Sequence, residues 1–89
     1  MDERLKTFSK KIAEKIQNAH NNKLPEITIK FPFINNENIE QYMYYQTAYY
    51  NLVGQIAVEY TKKYNKKKEI LAINAFNINE GIRLYFQYK

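Results

Sequence analysis

Residues 36–64 contain no proline and a single glycine, and their apolar side chains recur at spacings of three and four, which predicts one continuous helix. At about 1.5 Å per residue it is roughly 40 Å long. An eight-residue strand spans only about 27 Å, so the helix must overhang any sheet it packs on or bend, and Gly54 is the expected bend. A chain of 89 residues has room for one such rod and one domain, 1–89. It buries only about 60–65% of the surface its unfolded form exposes, so its core is thin.

The start of this helix is read from its flanks. Asn35 is the expected N-cap, with Ile34 and Ile39 closing a hydrophobic staple. Glu37 and Glu40 then fall in the first turn and Lys62 and Lys63 in the last, both suited to the helix dipole. Ile39, Tyr42, Tyr49, Val53, Ile56 and Tyr60 are expected to face a sheet, with Tyr45, Ala48 and Leu52 on a neighbouring ridge.

The rest of the chain supplies the cover. Asp2 caps a first helix whose apolar residues, Leu5, Phe8, Ile12, Ile16 and Ala19, fall in a stripe about 80° wide. Asn18, His20, Asn21 and Asn22 end it, and His20 reads as a surface or capping residue. Residues 26–34 alternate, with Ile27, Ile29, Phe31 and Phe33 on one side, as a half-buried strand does; Pro32 confines it to an edge or to its last paired residues. Residues 69–78 and 82–89 form a hairpin closed by Asn79-Glu80-Gly81, read as a three-residue loop with Gly81 in the left-handed position. That register puts Phe76, Ile82, Leu84, Phe86 and Tyr88 on the core face. Leu71, Ile73, Ala75 and Tyr85 then lie on the other, beside Arg83, Gln87 and Lys89. The fold class is α+β in the order α-β-α-β-β: a three-stranded sheet with a C-terminal hairpin, packed against one long central helix and an N-terminal amphipathic helix.

The inventory of reactive side chains argues against catalysis. Cysteine is absent, and Ser9, His20 and Asp2 are the sole residues of their types. A Ser-His-Asp triad would need all three, a thiolate zinc site has no ligands, and Gly54 and Gly81 are too isolated for a phosphate loop. The chain is therefore expected not to be an enzyme and to need no metal or cofactor. The charged start lacks an export signal and no apolar run is long enough to span a membrane, which leads to an expectation of a cytoplasmic protein without membrane contact. Heavy use of Asn, Lys, Ile and Tyr follows AT-rich codons, as in an AT-rich bacterium, a phage or a mobile element.

Two surfaces remain as candidates for function. Nine tyrosines are more than a small core absorbs, and tyrosine is enriched at protein interfaces because its ring is apolar and its hydroxyl wet. Tyr44, Tyr45, Tyr50 and Tyr85 are the expected contacts with a protein partner. The first reading is thus a stoichiometric binding protein, an adaptor or an inhibitor such as a phage directs at host machinery, that also forms a homo-oligomer. The alternative is a nonspecific nucleic-acid-binding module. The net charge is +5, and Lys62, Lys63, Lys66, Lys67 and Lys68 crowd one short stretch. Tyr64 would stack on a base, and Arg4, Lys11 and Lys15 would extend the patch if the first helix lies alongside.

Overall fold

The first helix, α1 (Glu3–Asn21), forms as its stripe dictates. The Asp2 carboxylate accepts from the Leu5 N–H at 2.8 Å, and Leu5, Phe8, Ile12, Ile16 and Ala19 are all buried. The computed structural model describes residues 2–89. After α1 come β1 (Glu26–Lys30), α2 (Ile39–Lys66), β2 (Ile70–Ile78) and β3 (Gly81–Tyr88), an α+β architecture in the expected order.

The sheet order is β1-β3-β2, with both outer strands antiparallel to β3. β1 and β2 are therefore parallel to each other, and α2 is the crossover between them. Arg4 of α1 meets Tyr45 and Tyr49 near the start of α2, and His20 meets Tyr60 and Tyr64 near its end, so the two helices run parallel. Both lie on one face of the sheet. Between them and that face sit Phe8, Phe31, Tyr49, Val53, Ile29, Leu84 and Phe86. Among the described residues none forms a layer over the opposite sheet face.

The structure differs from the sequence reading in four respects. β1 ends at Lys30 instead of continuing to residue 34. Phe31 N–H still donates to Glu80 O, and Pro32, which has no N–H to give, follows. The second helix begins at Ile39 with Asn38 as its cap, so Asn35 and Glu37 lie outside it and Ile39 is exposed. That helix runs unbroken through Gly54 to Lys66, about 42 Å, nearly the 44 Å length of the molecule.

The fourth difference is the hairpin. Ile78 pairs with Gly81, so the loop is Asn79-Glu80 alone, and Glu80 instead of Gly81 takes a positive φ of 51°. Gly81 is needed for a different reason: a Cβ there would sit 2.4 Å from the Ile29 carbonyl oxygen of β1. Relative to the expected loop the pairing is displaced by one residue, which turns over the β2 side chains from Ala72 to Ile78; Ile70, beyond the bulge at Leu71, lies opposite Tyr88 and stays buried. Ile73 and Ala75 lie opposite Phe86 and Leu84 on the helix-covered side, whereas Phe76 lies opposite Arg83 on the open side.

Candidate functional site

Three groups of polar and aromatic side chains stand out. The first closes the N-terminal end of the helix pair. Each of the three guanidinium nitrogens of Arg4 is engaged: Nε donates to the Tyr49 hydroxyl at 2.7 Å, Nη2 to Pro32 O at 2.7 Å, and Nη1 pairs with Glu37. The Tyr45 ring stacks 3.8 Å from the guanidinium carbon, and its hydroxyl donates to Asp2. The Arg4 pairing holds Glu37 below the ordinary carboxylate range, and Glu37 in turn raises Arg4 further above its own. Three of the five guanidinium N–H groups and one face of the group are thus spent within the protein, which makes Arg4 a structural cation. Glu37, expected as a helix-dipole charge, is the anion that fastens the β1–α2 connection to α1.

The second group closes the other end. His20 is buried, at 5% exposure, with Nε2 3.0 Å from Glu69 and Nδ1 2.8 Å from the Tyr60 hydroxyl. A carboxylate only accepts, so Nε2 carries a proton toward Glu69; in the neutral form of the ring Nδ1 then accepts from Tyr60. The Glu–His–hydroxyl order has the form of a relay. Burial, however, pushes the Tyr60 hydroxyl well above its usual range, the reverse of what an activated phenol needs. The geometry describes a clamp joining α1, α2 and the start of β2. From sequence His20 reads as a surface or capping residue, because the partners that bury it lie 40 and 49 residues away.

The third group is open. On the uncovered sheet face the Phe76 ring is 58% exposed and stands edge-on to Tyr85, with centroids 5.3 Å apart. Arg83, directly across from Phe76, reaches Thr28 Oγ1 at 3.3 Å. Phe76 and Tyr85 line a shallow depression of about 460 Å³. Glu26 and Lys30 of β1 complete the face, which thus carries an aromatic centre with basic and acidic groups beside it.

These placements sort the residues expected from sequence. Tyr85 lies on the open face. Tyr44 is 59% exposed at the overhanging start of α2, far along the helix from the basic end. Tyr45 is held by Arg4 and Asp2. Tyr50 packs edge-on to Phe31 at 4.8 Å and donates to Gly81 O, so it belongs to the interior. Phe76, expected on the core face, lies on the open one because the hairpin register pairs it with Arg83 instead of Leu84.

Lys62, Lys63, Lys66, Lys67 and Lys68 are all exposed together at the end of α2. Tyr64 is already in use: Tyr60 stacks on it at 4.5 Å, His20 meets it edge-on, and the Lys63 and Lys67 ammonium groups lie 5.3 and 5.0 Å from its ring centre. The structure does not bring Arg4, Lys11 and Lys15 to this cluster. Arg4 is at the opposite end of the molecule, because α1 and α2 run parallel. Lys11 and Lys15 border a groove between α1 and β1, with Ile27 and Thr28 on its far side.

Among the described residues no group of three His, Cys, Asp or Glu side chains is placed to share a metal ion, and no helix is long and apolar enough to cross a membrane. Compared with known proteins, the chain matches no family model, no curated protein and no solved structure.

Proposed function

We propose that this chain is a small non-enzymatic binding protein, of adaptor or inhibitor type, that makes stoichiometric contact with another protein and also self-associates. The observation that carries the reading is the open sheet face, where Phe76, Tyr85 and Arg83 adjoin one another without a covering layer. Aromatic residues and arginine are the types that dominate binding energy in protein interfaces. A net charge of +5 favours a partner that is acidic around an apolar patch.

The five exposed lysines at the end of α2 support a second reading, contact with a nucleic-acid backbone. Capture from cell lysate on the immobilised chain separates the two. A partner bound through the open face is retained by wild type and by Lys63→Glu/Lys66→Glu/Lys67→Glu, and lost by Phe76→Asp/Tyr85→Asp. Retention by the aromatic double variant, with loss in the lysine variant and a steep salt dependence on labelled oligonucleotides, overturns the first reading in favour of the second.

A further inference from the structure

The two edges of the sheet are treated differently. β1 is five residues long, carries Glu26 and Lys30, and lies between Pro25 and Pro32. Short length, charge and proline are the ordinary ways in which an edge is kept from pairing. β2, the other edge, is nine residues long and contains no charged residue and no proline. Its one irregularity is the bulge at Leu71, near its start. Residues 74–77 are exposed one after another, on the helix-covered side as well as on the open one.

The hydrogen bonds show which backbone groups are unpaired there. Phe31 N–H donates to Glu80 O and Phe86 N–H to Pro25 O, so even-numbered residues of β3 bond toward β1 and odd-numbered ones toward β2. Tyr85 and Arg83 meet Asn74 and Phe76. The N–H and C=O groups of Ile73, Ala75 and Asn77 therefore point out of the sheet.

We propose that this edge pairs antiparallel with β2 of a second copy, about a twofold axis through Asn74, joining two three-stranded sheets into one of six strands. The inference rests on the self-association in the proposed function and uses the strand edge that borders the open face. Three features favour a second copy as the occupant. An uncharged strand lets two chains of net charge +5 meet where they repel least. The register about Asn74 sets Phe76 opposite Ala72 of the other copy, large against small, and brings Lys68 within reach of the other copy's Glu80 at both ends. Finally, α2 lies over β2, and Met43, Thr47, Gly54 and Val58 are on its flank opposite Tyr45, Leu52 and Ile56, which turn toward α1. Met43 and Val58 are 61% and 53% exposed, and a Cβ at Gly54 would meet nothing within 4 Å. The twofold axis would bring this flank, uncharged from Met43 to Val58, against its own copy, and would set two Phe76–Tyr85 clusters side by side on one continuous face.

Sedimentation velocity across a wide concentration range tests this. Wild type is expected at twice the chain mass. Ala75→Pro removes an edge-facing N–H that β3 does not use, and is expected at the single-chain mass with an unchanged circular-dichroism spectrum. Lys68→Glu, on an exposed turn, is expected to weaken the dimer roughly tenfold, and Lys68→Glu/Glu80→Lys to restore it. A wild type that stays monomeric throughout overturns the inference, as does a dimer indifferent to Ala75→Pro or to the charge reversal. Partner capture through Phe76 and Tyr85 is read separately on monomeric Ala75→Pro, so failure of one reading is not mistaken for failure of the other.

Discussion

Replacing Tyr49 by phenylalanine removes one oxygen from a side chain that is 0% exposed. The ring contacts survive: Phe8, Phe31 and Phe33 lie 4.4, 5.3 and 5.7 Å from its centroid. What is lost is an acceptor for Arg4 Nε at 2.7 Å and a donor to Pro32 O at 3.0 Å. Pro32 O keeps its bond from Arg4 Nη2, so the group left without a partner is a charged N–H. A hydrogen bond to a charged group is worth about 1.5–3 kcal/mol and a neutral one about 0.5–1.5 kcal/mol; with one carbonyl still satisfied, about 2–3 kcal/mol is expected. In a domain of this size that lowers Tm by roughly 10–20 °C. Urea and thermal unfolding followed by far-ultraviolet circular dichroism read both quantities. Tyr44→Phe is the control, since its exposed hydroxyl predicts a change under about 0.5 kcal/mol. Tyr49→Phe should cost less in an Arg4→Met background, about 0.5–1.5 kcal/mol, because no charged N–H awaits a partner and only the bond to Pro32 O is lost. A single Tyr49→Phe variant indistinguishable from wild type, or an equal loss in both backgrounds, refutes the clamp.

Two further outcomes follow from the same geometry. Gly81→Ala places a Cβ 2.4 Å from a backbone oxygen, which cannot swing aside as a side chain would, and predicts destabilisation of about 2 kcal/mol by urea unfolding; a neutral result contradicts the close approach of β1 to the hairpin. Asp2 is held below its usual pKa chiefly by the Leu5 N–H and Glu37 chiefly by Arg4, so each favours the folded state while ionised. Their contribution is complete above about pH 5 and is lost as the pH falls below about 4 through the lowered native values. Urea midpoints measured down that range should fall, less steeply in Glu37→Gln, and a midpoint that does not move contradicts the assignment.

Much of the architecture is legible in the sequence because it is local. The stripe from Leu5 to Ala19 needs only helical periodicity, and all five residues are buried. What escapes the sequence is set by groups distant along the chain. Asn35 reads as the cap of α2, yet Asn38 is the cap in a structure where Glu37, just outside the helix, is fastened by Arg4. Gly81 suggests a left-handed turn, yet the need for it comes from Ile29 on another strand. His20 has the local setting of a frayed helix end but is enclosed by Tyr60 and Glu69. The candidate site inherits this difficulty. Tyr85 and Arg83 are readable as neighbours on one strand, whereas Phe76 joins them only through a hairpin register that local turn chemistry misplaces by one residue.

That register is the claim on which the open face and the proposed dimer edge both depend, and nuclear Overhauser contacts across the hairpin test it directly. In an antiparallel pair the Hα atoms approach closely at the non-hydrogen-bonded positions, where Cα atoms are about 4.5 Å apart. The structure predicts strong Hα–Hα cross-peaks between Ala75 and Leu84 and between Ile73 and Phe86. Cross-peaks joining Phe76 to Leu84 and Asn74 to Phe86 would return Phe76 to the core and contradict the account.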